Sequence, residues 1–198
     1  MAIRVLFIQG AGEGAYQADA KLAETLRKEL GPEYEVRYPA MPNEGDPDDN
    51  AWGDLIAAEL ADMGEDAVLV GHSAGAAMLC VFLATSKLEL RIAGIFLISS
   101  PFFGEGGWKV EGFTMPRDFG QRFPDAPVFL YHGSEDEIAP MAHLDLYSRA
   151  ITHAVVRRLA GRNHQLNDDM TEVARDIESL HQASGHTDHG GVVPPISW

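Results

Sequence analysis

Short, nearly continuous apolar runs alternate along this chain with longer amphipathic segments. The short runs predict a buried strand at Ile3–Ile8 and further strands at 35–38, 67–70, Ile92–Ile98, 128–131 and 154–159. The amphipathic segments predict helices over 16–30, 51–63, Ala74–Thr85, Met141–Ala150 and 170–181. Gly31-Pro32 closes the first helix, and Pro39 ends the second strand. Repeated alternation of strand and helix calls for a parallel sheet covered on both faces. The expected class is therefore α/β.

Two segments break the rhythm. Residues 101–124 form a long connection with Phe102, Phe103, Trp108, Phe113, Phe119 and Phe123 among five glycines. Long connections in compact domains tend to be functional, so a lid-like insertion is expected here. Six rings without a steady helical or strand period suit a pocket wall, although rings that fill the core remain the plainer reading. Residues 183–198, with Gly185, Gly190, Gly191, Pro194 and Pro195, read as an irregular tail after a single domain spanning 1–182.

The 198 residues suffice to bury roughly 70% of the unfolded surface, so the fold needs neither metal nor disulfide. Cys80 is the single cysteine, which excludes an intrachain disulfide and any cysteine-cluster metal site. Thirty acidic against fifteen basic residues give a net charge of −15. Such a surface repels phosphate backbones and anionic lipid, so neither nucleic acid nor membrane is an expected partner. Residues 1–10 lack the layout of a secretion signal, and no apolar run approaches the length that spans a bilayer. A cytoplasmic protein is expected.

Gly71-His72-Ser73-Ala74-Gly75 falls between a predicted strand and a predicted helix. A turn that abrupt leaves room for little beyond glycine or alanine beside the serine. It lifts the Ser73 hydroxyl to the carboxyl edge of the sheet, where the helix also points its free N–H groups. The placement makes Ser73 a candidate nucleophile, and a serine needs a base held by a third group. Two later loops at the same edge supply both residue types. His132-Gly133-Ser134-Glu135-Asp136-Glu137 follows the fifth strand, and Gly161-Arg162-Asn163-His164 follows the sixth. Glu135 and Glu137 compete with Asp136 as the acid. His143 lies in a helix and His153 at a strand start, so neither suits the base. His132 and His72 are read first as structural.

These motifs resemble the α/β-hydrolase superfamily, in particular its small single-domain serine hydrolases similar to retinoblastoma-binding protein 9. The resemblance runs from Ile3 to Leu180. It rests on the elbow around Ser73 and the Gly-x-x-Asp loop Gly133–Asp136 that leads to Ile138 and Pro140. Two positions depart from the pattern: Asn163-His164 stands for the usual Gly-His pair, and Gln9-Gly10 for the frequent His-Gly. The resemblance implies a minimal α/β-hydrolase fold with strand order 2-1-3-4-5-6. It also implies a triad of Ser73, Asp136 and His164 that cleaves a small carboxylic ester or thioester without cofactor or metal. The first and third strands are neighbours in that topology, so their loops converge. Backbone N–H groups of Ala11 and Ala74 are the expected oxyanion donors, with Gly12 as the alternative to Ala11. Phe103, Trp108 and Phe113 are the expected acyl-binding residues.

Two other function classes compete. Gly10-Ala11-Gly12-Glu13-Gly14-Ala15 fits a dinucleotide fingerprint, but the second strand ends without the acidic residue that holds the ribose. A non-catalytic binding protein on a hydrolase scaffold is the other, and the presence of all three triad residue types speaks against it. Glu44, Asp46, Asp48 and Asp49 lack the spacing of a calcium loop and read as a solvated acidic loop. His186, Asp188 and His189 lie in the tail, and Cys80 reads as a buried small hydrophobe.

Overall fold

The computed structural model describes residues 2–110 and 113–184. The described residues form six strands and five helices, alternating except between β4 and β5: β1 (Ile3–Ile8), α1 (Ala15–Leu30), β2 (Tyr34–Arg37), α2 (Asp49–Met63), β3 (Ala67–His72), α3 (Ala74–Thr85), β4 (Ile92–Ile98), β5 (Val128–Gly133), α4 (Met141–Ala150), β6 (Val155–Leu159) and α5 (Thr171–Ser184). All pairings are parallel, in the order β2-β1-β3-β4-β5-β6. This is the α/β-hydrolase fold, with the strand order the motifs implied.

Alternation along the central strands divides the core into two layers. Leu6, Ile8 and Leu69 face Trp52, Ile56, Leu79 and Tyr147, carried by α2, α3 and α4. Val5, Phe7, Val68 and Val70 face Leu22, Leu26, Val173 and Ile177 of α1 and α5. Both faces are covered over residues 5–8 and 67–70, and these stretches read as continuous apolar runs.

Element ends differ from the pattern-based expectation where capping decides. Helix α2 begins at Asp49, two residues early, because Asp48 takes an extended conformation and accepts the Ala51 N–H at 2.8 Å. Helix α1 is preceded by Gly14 at its N-cap, whose φ of 81° suits glycine, and it finds its capping carboxylate far away in sequence. Glu44 accepts from Gly14 N at 2.8 Å and Tyr16 N at 2.7 Å. Two carboxylates of the acidic loop thus serve as helix caps. Strands β3 and β5 run two residues further than expected, carrying His72 and His132 to the carboxyl edge. Residues 183 and 184 close α5 rather than opening the tail. The remainder of the expected tail, with His186, Asp188 and His189, lies outside the described residues.

The 101–124 connection joins β4 to β5. It holds a bridge between Phe103 and Trp108 and a 3-10 turn at Phe119–Gln121. Among the described residues, no helix is long and apolar enough to cross a membrane.

Candidate active site

The elbow's conformation follows from its glycines. A Cβ on Gly71 would stand 2.6 Å from the Ala76 Cα, and one on Gly75 would stand 1.9 Å from the Gln9 carbonyl oxygen. Only hydrogen at both positions lets α3 leave the sheet so abruptly. Ser73 itself takes φ 52° and ψ −128°, a region costly for a side-chain-bearing residue. The conformation is held by its N–H, which donates to the Ile98 carbonyl at 2.8 Å, and by the start of α3.

Three loops from three strand ends meet at Ser73. Its Oγ lies 2.9 Å from His164 Nε2. On the other side of that ring, Nδ1 lies 2.9 Å from Asp136 Oδ2 and 3.0 Å from Oδ1. The acid and base loops are tied together: Glu135 N donates to the Arg162 carbonyl at 2.9 Å, and Gly161 N to Ser134 Oγ at 2.8 Å. The His164 side chain is 13% exposed, which leaves it reachable from solvent.

The rivalry among acids ends in burial. Glu135 and Glu137 are exposed, whereas the Asp136 carboxylate is 1% exposed. Burial alone would raise the Asp136 pKa. Hydrogen bonds from His132 and His164, the charge of His164 and the Ala139 N–H outweigh it and hold the carboxyl well below the usual range. His132 Nε2 reaches Ala139 O at 2.8 Å and Asp136 Oδ2 at 3.2 Å, so this histidine braces the acid loop. His143 is buried in α4, where its Nδ1 accepts the Phe102 N–H at 3.0 Å. His153 is exposed and away from this group.

Ala11 and Ala74 N–H groups have no hydrogen-bond acceptor among the described residues, and Ala74 opens α3, where such N–H groups lack partners within the helix. Gly12 N is committed to the Glu44 carbonyl at 2.6 Å, which removes the alternative donor. The Gln9 side chain also turns away to the acidic loop, with Nε2 on Glu44 at 2.7 Å and Oε1 accepting Met41 N. The dinucleotide reading meets an obstacle at the same place. The α1 amides where a pyrophosphate would rest are occupied by the Glu44 carboxylate.

Phe102 and Phe119 pack against buried Tyr147 in the core. Phe103, Trp108 and Phe113 contact one another, with Phe103 5.0 Å from Phe113 and 6.2 Å from Trp108 between ring centroids, and Phe103 and Phe113 also pack against that core. Trp108 is 39% exposed and sets its ring against His143.

Sequence reasoning missed Asp19. It lies on the Leu22, Ala23, Leu26 stripe of α1, is 1% exposed, and binds His72 Nδ1 at 2.8 Å. A carboxylate on the apolar face of an amphipathic helix was the signal available.

A family model described as the alpha/beta hydrolase family matches residues 5–187, and the chain belongs to that family. No curated protein matches it in sequence. Among solved structures, it is similar to a meta-cleavage product hydrolase from Pseudomonas fluorescens IP01 with acetates bound. The TM-score is 0.73 at 15% identity, over 93% of this chain and 92% of that one. It is also similar to Est1E from Butyrivibrio proteoclasticus with ferulic acid bound, at TM-score 0.66 and 15% identity over 92% and 89% of the two chains. The esterase RhEst1 from Rhodococcus sp. ECU1013 matches at TM-score 0.65 and 18% identity, over 93% and 91%. At such identities the likeness is one of fold.

Proposed function

We propose that this protein is a cytoplasmic serine hydrolase that cleaves a small carboxylic ester or thioester through an acyl-enzyme. It would be of the small single-domain kind similar to retinoblastoma-binding protein 9. The observation that carries the reading is the continuous line from Ser73 Oγ through His164 to buried Asp136, at 2.9 Å per contact. Hydrolases and esterases among the proteins of like fold support it.

In this reading Ser73 Oγ bonds to the acyl carbon while His164 Nε2 takes the hydroxyl proton, and the carbonyl π pair moves onto oxygen. The Ala11 and Ala74 N–H groups receive that oxyanion. Collapse breaks the bond to the alcohol or thiol, which leaves with the proton held by His164. Water then attacks the acyl carbon, giving its proton to His164. The second collapse frees the carboxylic acid and returns a proton to Ser73 Oγ. Asp136 keeps the imidazole in the tautomer with Nε2 free and stabilises its charged form. Phe103, Trp108 and Phe113 form the acyl-side wall of a lid-like insertion.

The test is covalent labelling with a fluorophosphonate alongside release of p-nitrophenol from short acyl esters. Wild-type protein is expected to label once and turn over, and Ser73→Ala to do neither. Wild-type protein that neither labels nor hydrolyses any ester would overturn the reading in favour of a binding role on this scaffold.

A further inference from the structure

Behind the Ser73–His164 contact lies a second histidine–carboxylate pair that the triad does not use. His72 and Asp19 have side chains 1% and 2% exposed, with His72 Nδ1 2.8 Å from Asp19 Oδ2. The other ring nitrogen, Nε2, lies 3.0 Å from the backbone carbonyl oxygen of His164. A carbonyl oxygen can only accept, and so can an ionised carboxylate. A neutral imidazole would set a lone pair against one of these oxygens, in a place water does not reach. Both Asp19 oxygens accept further N–H groups, from Gly10 and Gln165, which favours the ionised carboxylate; with Asp19 ionised, satisfying both contacts takes a proton on each nitrogen and makes His72 an imidazolium.

The same carboxylate ties together the segments that carry the Ala11 donor, Ser73 and His164. Asp19 Oδ2 accepts the Gly10 N–H at 2.7 Å, one residue before the Ala11 donor. Asp19 Oδ1 accepts from Gln165 Nε2 at 3.0 Å, one residue after the base. His72 immediately precedes Ser73. A single buried anion thus anchors the β1 loop and the β6 loop, and through His72 it anchors the elbow.

We propose that Asp19 and His72 form a buried ion pair that positions the oxyanion loop and the His164 main chain against Ser73. Both are positioning residues, and the role assigned to them rests on the serine-hydrolase reading above. The charged groups facing the pair are few. The His164 ring lies 4.9 Å from that of His72, Asp136 stands beyond it, and Glu44 acts on Asp19 from the acidic loop. Burial opposes charge on His72, but the hydrogen bond and charge of Asp19 outweigh it and shift the imidazole toward the protonated form. Asp19 moves the opposite way, because bonds from His72, Gly10 and Gln165 outweigh its own burial. An uncharged spacer at this place would leave the loops packed but unregistered, and misplacement by an ångström costs a reaction about 100-fold.

The experiment pairs nitrogen-15 NMR of the histidine rings with steady-state kinetics on wild type and Asp19→Asn, a shape-conserving change. At about pH 8, where an ordinary imidazole is neutral, wild-type His72 is expected to carry protons on both nitrogens. Asp19→Asn is expected to lose one of them, and to lower kcat by about 10- to 100-fold with KM within about twofold. A His72 ring lacking a proton at that pH would overturn the ion pair. A folded Asp19→Asn variant with wild-type kcat would overturn the positioning role. Wild-type protein inactive on every ester would overturn the hydrolase reading and that role with it, while the NMR result would still decide the ion pair.

Discussion

The rings of His164 and His72 stand 4.9 Å apart between centroids, and each is hydrogen-bonded through Nδ1 to a buried carboxylate: Asp136 for the first, Asp19 for the second. What separates their chemistry is the atom beyond Nε2. His164 faces the Ser73 hydroxyl, which can donate a proton, whereas His72 faces a carbonyl, which cannot. In the proposed reading, the same dyad geometry serves a base in one case and a fixed cation in the other.

Asp136 is expected to be the only acidic residue of its loop that matters to turnover. Asp136→Asn keeps the shape but allows the wrong imidazole tautomer, and a loss of about 10⁴-fold in kcat is the expected scale. Glu135→Gln, at an exposed position, is expected to keep wild-type rates. Steady-state kinetics on the two variants, with circular dichroism to verify folding, distinguishes these outcomes. Equal losses in both would return the acid assignment to the loop as a whole.

Stability is expected to fall at both ends of the pH range. The carboxyls of Asp136 and Asp19 are held below their ordinary values by their hydrogen-bond donors, despite burial, and Asp169 is lowered to about 2 by Thr171 and Arg162. Each binds its proton more readily when unfolded. Their contribution is therefore complete above the unfolded value of about 3.9 and drains away as pH falls toward the folded values. His72 runs the other way. Its raised value contributes fully below about 6.5 and is lost as pH rises through the folded value. Urea midpoints across a pH series would check both limbs. Asp19→Asn should flatten the alkaline limb; if that limb is unchanged in the variant, His72 is not its source.

Much of the fold was legible because its signals are local. Continuous apolar runs marked β1, β3 and β4, and the elbow announced itself through glycines that the turn sterically requires. The placement of Asp136 and His164 was legible because the topology brings their loops beside Ser73. Asp19 and Glu44 were not, because each gains its role only when segments distant in sequence converge. Glu44, for example, caps a helix that begins 29 residues earlier, at Ala15 (44 − 15). The start of α2 was misplaced for a smaller reason: the cap is Asp48, and helical periodicity becomes visible only after it.

Gly75 should tolerate no side chain. A methyl group there meets the Gln9 carbonyl at 1.9 Å, and backbone cannot yield as a flexible side chain would. Gly75→Ala is expected to cost at least about 1–3 kcal/mol. It should also reduce kcat by pushing the Gly10-Ala11 loop from the elbow. Chemical denaturation together with kinetics reads both effects, and a variant with wild-type values in each would contradict the packing argument.

The aromatic cluster should tune chain-length preference. Trp108→Ala and Phe113→Ala are expected to shift the ratio of kcat/KM between short and medium acyl esters, since each lost apolar contact is worth about 1–3 kcal/mol. Partial exposure of Trp108 makes its removal tolerable to the fold. Variants that keep the wild-type ratio would take these rings out of the acyl site and leave them as packing against the core.

The most direct test of the account is to trap the acyl-enzyme. Wild-type protein mixed with a p-nitrophenyl ester, quenched in acid during the burst and analysed by intact-mass and peptide mass spectrometry, should carry one acyl group. That group should map to Ser73 and be missing from Ser73→Ala. Turnover that proceeds with the acyl group on another residue, or undiminished in Ser73→Ala, would contradict it.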